Sequence, residues 1–213
     1  FVEVIKSKNR VTGAYFRNKQ NELIRVEADI TIDGTDLGDV FANAGAAYDL
    51  GMEDPVIAKE TIAPGKFNII QDLTWVAILK DYGMDVDKTI PRPNGYDSTH
   101  YFCSCTDAPC LEGKPYNVNA ARMLAYGLLP NKKYMINWPA HGNDVMVNAV
   151  EMSVVEREVY WKKAREKTLG FVYFIQTQLG FKNLGLADDE FNGTGLAFMP
   201  YHREGRRIRG IVR

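Results

Sequence analysis

Apolar and polar residues alternate over residues 2–6 (VEVIK) and again over 11–17 (VTGAYFR), on either side of the turn SKNR. A third alternating run, LIRVEADITID at 23–33, follows the turn NKQNE. Period-two alternation is the mark of a half-buried strand. The first fifty residues therefore predict an antiparallel β-meander whose last strand ends at Asp33 and enters the loop GTDLGD (34–39). Gly34 and Gly38 open backbone conformations that other residues resist. The small apolar residues from Val40 to Ala47 predict a helix, capped by Asp36 or Asp39 accepting its free N–H groups.

Beyond this point the pattern is less regular. Pro55 and Pro64 mark 52–67 as a loop, and NIIQDLTWVAILKDYG (68–83) reads equally as strand or short helix. Residues 84–117 form a long loop, of the kind that is functional or wraps another part of a protein. NVNAARMLAYGLL (117–129) predicts a short helix closing at Gly127 and Pro130. YMINWPAHGNDV (134–145) reads as a strand, a proline turn and a helix cap. With Asn143 or Asp144 as that cap, a long helix is predicted over about 144–168. Its apolar face takes Ala149, Val150, Met152, Val154, Val155, Val159 and Tyr160, and its polar face takes Glu151, Glu158, Lys162, Lys163 and Glu166. Gly170 breaks this helix, FVYFIQTQLG (171–180) forms a second, and RIRGIVR (207–213) is a closing strand. The pattern is that of an α/β or α+β protein.

Composition narrows the function classes. The chain of 213 residues is 46% hydrophobic and 25% charged, ordinary values for a globular protein. A net charge of −1 supplies no field for nucleic acid or an anionic membrane surface. No apolar run reaches the length of a bilayer span. The chain opens on FVEVIK without Met and stops within a strand, which predicts a fragment of a larger fold and leaves the compartment open between cytoplasm and periplasm.

Four constellations carry possible chemistry. The acidic glycine loop after a strand and before a helix is one way for backbone to approach a dinucleotide; the plain alternative is a β-turn with a capped helix. In INWPAHGND, Trp138 and Pro139 stiffen a turn, His141 offers a proton near neutral pH and Asn143 offers polar groups; the alternative is a helix start with a surface histidine. In YHREGRRIRG, Arg203, Arg206, Arg207 and Arg209 lie within seven residues, a concentration suited to an anion; the alternative is an exposed basic edge. Cys103, Cys105 and Cys110 follow His100 in HYFCSCTDAPC, but their spacing matches neither a zinc nor an iron–sulfur pattern. A local disulfide, a redox thiol and a buried loop remain open, and no metal site is assigned.

Together these pieces resemble a known family. VTGAYFRNKQNELIRVEADITIDGTDLGDVFANAGAAYDLG looks like the middle of FAD-dependent oxidoreductases of the glutathione-reductase-like flavoprotein superfamily. The resemblance is to a bacterial subgroup related to the flavin subunit of heterodisulfide reductases. Where that family reads T-G-D-G-D, this chain has Thr35, Asp36, Leu37, Gly38 and Asp39, with one glycine displaced. PYHREGRRIRG resembles the family's R-E-S-R-R-I-x-G, with Gly205 where Ser is usual, and INWPAHGND resembles a further family motif. The resemblance implies part of an FAD-binding Rossmann-like domain over 1–51, a mixed substrate-side domain over 52–199 and a return strand over 200–213. It places Gly34, Thr35, Gly38 and Asp39 beside the cofactor. It places His141, Asn143, Arg203, Glu204, Arg206 and Arg207 toward the flavin ring or substrate, with His141 a proton donor or acceptor and the arginines stabilisers of anionic flavin. The N-terminal Gly-x-Gly-x-x-Gly fingerprint of such enzymes is not in this sequence, which implies weak or no FAD binding by the fragment alone. Hydride transfer between flavin and a small organic substrate is the activity implied, with substrate, electron acceptor and oligomeric state open. The rival reading is a carbohydrate- or protein-binding domain using the aromatics of the long loop, Tyr96, Tyr101, Phe102 and Tyr116.

Overall fold

The computed structural model describes residues 1–51 and 69–210, so the loop read at 52–67 and the last residues of the closing strand lie outside the described residues. In chain order the elements are β1 (Glu3–Ser7), β2 (Arg10–Arg17), β3 (Leu23–Glu27), α1 (Asp39–Asn43), β4 (Tyr48–Asp49), β5 (Leu73–Thr74), β6 (Ala77–Asp81), α2 (Ala120–Tyr126), β7 (Leu128–Leu129), β8 (Lys133–Ile136), β9 (Asp144–Val145), α3 (Val154–Thr177), β10 (Leu184–Leu186), β11 (Tyr201–His202) and β12 (Arg207–Ile208). They form two compact units, Phe1–Gln71 with His202–Arg213 and Asp72–Tyr201. Described strand pairs are antiparallel, so the architecture is α+β.

In the first unit β1, β2 and β3 make the expected meander, with Val4 opposite Ala14 and Tyr15 opposite Arg25. Gly13 lets β2 and β3 approach closely: a Cβ there would stand 2.1 Å from the Val26 carbonyl oxygen. The third strand is shorter than its alternation implies and ends at Glu27 instead of Asp33. The Ala28 N–H still donates to the Thr12 carbonyl at 3.0 Å. Then β2 begins its turn at Arg10, whose guanidinium takes the Asp29 carbonyl at 2.9 Å. Residues 30–33 therefore have no partner strand among the described residues, and Ile30 and Ile32 stand 78% and 85% exposed. Alternation requires a neighbour to become a ladder. Strand β12 pairs with β4, Arg207 opposite Asp49 and Ile208 opposite Tyr48, and closes the unit.

The second unit holds the main core. The ambiguous run at 68–83 resolves into two strands, β5 and β6, because its apolar residues are covered on both faces. Strand β6 lies inside the antiparallel sheet β10-β6-β8-β7. Leu73, Leu79, Ile136, Phe171, Phe174 and Ile175 form one buried cluster with Trp138 and Leu184. The long loop wraps helix α3: the Tyr101 ring stacks on Phe171 with centroids 5.4 Å apart, and Tyr96 meets Tyr173 edge-on at 4.9 Å. Gln176 ties the same loop down, accepting from the Ile90 N–H at 2.9 Å and donating to the Lys88 carbonyl at 2.9 Å.

The long helix differs from its predicted span of 144–168. It runs Val154–Thr177, and Ser153 caps it in a capping box with Glu156. Asp144 and Val145 instead pair with Thr74 and Leu73 as β9. Sheet pairing thus removes the first ten residues from the helix, and Val154, Val155 and Val159 end up exposed. The break expected at Gly170 does not occur, and the two predicted helices are one. Gly170 is there for packing, since a Cβ would stand 2.2 Å from the Tyr101 hydroxyl. That hydroxyl is held in place by donating to the Lys167 carbonyl at 2.8 Å.

Gly170→Ala should therefore lower the stability of this unit by about 1–3 kcal/mol through overpacking. Helix propensity alone would favour alanine by about 1 kcal/mol. Urea unfolding of the variant decides the sign, and a gain in stability would contradict the packing seen at Tyr101.

Candidate functional site

The glycine loop is built by Asp33 and Thr35. The Asp33 carboxylate accepts from the Thr35 N–H at 2.9 Å, the Thr35 hydroxyl at 2.6 Å and the Phe41 N–H at 2.9 Å. The Thr35 hydroxyl in turn accepts from the Asp39 N–H at 2.9 Å. The free N–H groups of α1 are thus satisfied from Asp33 and Thr35, not from Asp36 or Asp39 as the sequence suggested. Gly38 occupies the N-cap position with φ +69°, a left-handed conformation suited to glycine. A Cβ there would stand 2.4 Å from the Phe41 ring. At Gly34 an added Cβ meets nothing within 4 Å, so this part of the loop lies open.

The return strand closes on this loop. Arg206 donates to the Leu37 carbonyl at 3.0 Å and to the Asp39 carboxylate at 2.7 Å, with its guanidinium 5.3 Å from the centre of the Tyr48 ring. Burial opposes the charge on Arg206, but hydrogen bonds to Asp39 and Tyr48 outweigh it and keep the group firmly protonated. Arg207 donates to the Gly51 carbonyl and lies 3.4 Å from the Glu204 carboxylate. Arg209 takes the Asp49 carboxylate at 2.5 Å. The four-arginine run is therefore matched in part by Asp39, Glu204 and Asp49, and Arg203 and Glu204 lie half-buried within the same unit.

Beside the loop is a cleft of about 430 Å³, which sequence reasoning missed. Its polar side comes from Lys6, Lys8, Thr31 and Asp33, and its apolar side from Val11, Phe41 and Ile208. The two lysines come from the β1–β2 hairpin, far in sequence from the glycine loop, and only the meander brings them to it. A pair of lysines on a hairpin edge was the signal available, and on a sequence it reads as a solvated turn.

His141 and Asn143 belong to the second unit. His141 is exposed, at φ +50°, on the turn that Trp138 begins. Asn143 is fully buried. Its side-chain oxygen accepts from the Trp138 N–H at 2.9 Å, and its amide donates to the carbonyls of Ile136 at 3.0 Å and Trp75 at 3.2 Å. Asn143 thus fixes the turn that presents His141 and caps no helix. Asp144 accepts from the Thr74 hydroxyl, and its carbonyl accepts from Lys167 at 2.5 Å. Burial lowers the Lys167 pKa despite the nearby Asp144 and Asp72 carboxylates. Cys103 and Cys110 form a disulfide and Cys105 is buried and free, so the local bridge is the alternative realised in the cysteine cluster. Among the described residues no group of three or more His, Cys, Asp or Glu side chains can hold a metal, and no helix is long and apolar enough to cross a membrane.

Asp33 gives the loop a pH dependence. Partial burial works against its charge, but the hydrogen bonds from Thr35, Phe41 and Val40 prevail and hold its pKa below the ordinary 3.8. Its stabilising contribution is therefore present above that value and lost as pH falls through the lower folded value. Hydrogen exchange should show the Phe41 amide protected at neutral pH and released in acid. Asp33→Asn should bring the acid level of protection up to neutral pH, and an unchanged Phe41 amide would refute the assignment.

A model of the family described as FAD dependent oxidoreductase matches residues 1–213. No curated protein and no solved structure matches the chain. The family match takes in the meander, the glycine loop, the turn that carries His141 and the arginine strand alike. This chain belongs to the FAD-dependent oxidoreductase family.

Proposed function

We propose that the first unit holds one end of FAD in the cleft beside the glycine loop, and that the enzyme transfers a hydride between the flavin and a small organic substrate. The observation that carries this reading is the lock between Arg206 and the loop, made at Leu37 and Asp39 beside a cleft with two lysines. The donor set suits a dinucleotide. Lys6 and Lys8 offer positive charge to phosphate oxygens, Thr31 and Asp33 offer polar groups to ribose hydroxyls, and Val11, Phe41 and Ile208 offer an apolar wall. A cleft of about 430 Å³ suits one half of the cofactor. Gly34 leaves the backbone open to close approach, while Thr35, Gly38 and Asp39 shape the loop.

The flavin, when bound, supplies the two-electron chemistry. The protein's own residues bind, hold and move protons. Arg206 and Asp39 keep the loop in one conformation, with Arg203 and Arg207 adding positive charge to the same segment. His141, exposed on its turn, is the proposed proton donor or acceptor, and Asn143 holds that turn. The disulfide between Cys103 and Cys110 favours the periplasm over the cytoplasm, since thiols are kept reduced in the latter.

An absorbance scan of the purified protein, before and after adding FAD, tests the reading directly. Flavin bands that stay with the longest natural form through gel filtration are expected, with weak or no retention by this chain alone, and their absence in the longest natural form would overturn the reading. In the longest natural form, Arg206→Ala should slow flavin reduction by loosening the loop that Arg206 ties to Leu37 and Asp39. Unchanged reduction with full flavin content would remove Arg206 from the site.

A further inference from the structure

A second cleft, of about 470 Å³, opens in the other unit. The buried Trp138 ring lies at its base, and two tyrosines pack edge-on against it. Tyr116 meets Trp138 at 85° with centroids 5.1 Å apart, and Tyr126 at 72° and 5.5 Å. Val118 and Pro139 complete the apolar wall, and no acidic side chain lines the cleft. Arg122, one turn before Tyr126 on α2, is the cleft's single charged group. Its backbone N–H is used by the Asn119 cap at 2.8 Å, but its guanidinium has no hydrogen bond or ion pair among the described residues.

The walls are held from behind. The Trp138 indole N–H donates to the Ser104 carbonyl at 2.9 Å, and its backbone N–H is fixed by Asn143. The Tyr116 N–H donates to the carbonyl of Cys103 at 2.9 Å, next to the disulfide. Gly127 ends the helix that carries Arg122 and Tyr126, and a Cβ there would stand 1.9 Å from the Met135 carbonyl oxygen, so α2 is seated closely on β8. An aromatic cleft of this size favours a ring-shaped molecule. The unpaired guanidinium excludes a cation and selects an anion with two coplanar oxygens.

We propose that this cleft binds a small cyclic carboxylic acid, its ring against the exposed rings of Tyr116 and Tyr126 and its carboxylate on Arg122. The binding site stands on the cleft alone, and it rests on the oxidoreductase reading only in making this acid the substrate class. A ring bearing a carboxylate can be a sugar acid or an aromatic acid, and both present the same chemistry to Arg122.

Calorimetric titration of the protein with sodium glucuronate and with sodium benzoate tests this, with methyl glucoside and benzyl alcohol as the uncharged counterparts. Saturable binding of at least one acid is expected, and which acid binds identifies the ring. Its uncharged counterpart should bind more weakly by about tenfold or more. Arg122→Ala should weaken the acid by a similar factor, and Arg122→Lys by less, since a point charge remains without the two-point fit. Tyr126→Ala should weaken it and Tyr126→Phe should not. Arg122 and Tyr126 are exposed, so far-ultraviolet circular dichroism of each variant should match the parent. No saturable binding of either acid, or Arg122→Ala binding as tightly as the parent, would overturn the proposal. The titration needs no flavin, so the two readings fail separately: flavin bands in the longest natural form without acid binding remove the cleft assignment, and acid binding without flavin in that form removes the flavin-site reading.

Discussion

The carboxamide of Asn143 is the constraint on which the larger unit depends. Its oxygen accepts one backbone N–H while its nitrogen serves the Ile136 and Trp75 carbonyls and reaches the Thr168 hydroxyl at 3.3 Å. Thr168 itself donates to Trp75 at 2.6 Å. One side chain thereby joins the end of β8, the link between β5 and β6, the turn at Trp138 and the buried face of α3. Only an amide combines an acceptor with two donors in this way. A carboxylate of the same shape would face three oxygens with negative charge and no donor, at a fully buried position. The aromatic cleft and the exposed His141 are both carried on the turn that this amide fixes.

The smaller unit is organised by a different economy. Its loop satisfies itself locally through Asp33 and Thr35, and Arg206 ties it over a long range to the closing segment at the Leu37 carbonyl and the Asp39 carboxylate. The Arg206 side chain is 9% exposed, so the pair is shielded from solvent far more than a surface pair would be. Breaking one side of such a pair costs more than the pair gains, because the remaining charge is left in a poor solvent. The arginine run thus does two jobs that compete for the same groups: it closes the unit and it adds positive charge near a cleft. In β12 the closing role has taken up much of the charge.

The glycines separate these roles well. Gly38 is required by its left-handed backbone, Gly13 and Gly170 by neighbours a Cβ would strike, and Gly34 by neither. A sequence displays the four alike. What distinguishes them is the tertiary surroundings, and these leave only Gly34 open to a ligand.

The residues alone determined the local features. Alternation set the meander of β1, β2 and β3, the proline and glycine positions set most turns, and the pattern near 120 set one helix; the long helix was read with its start ten residues early and a break at Gly170 that it does not have. The motifs also led to the family, because the loop and arginine motifs are short local strings that a sequence displays directly. What the sequence could not carry was set by partners far along the chain. Residues 28–33 alternate but form no ladder, since β2 turns away at Arg10. Asp144 and Val145 leave the predicted helix because Thr74 and Leu73 offer a sheet edge. Asn143, read as a polar group for chemistry or a helix cap, is buried because three carbonyl and hydroxyl oxygens converge on it. Local propensity favours each conformation by tenths of a kcal/mol per residue, about 0.7 kcal/mol at most for ordinary residues. A buried hydrogen bond or a lost methyl contact exceeds that. Wherever the two disagreed, the long-range contact prevailed, and both clefts lie where such contacts bring distant side chains together.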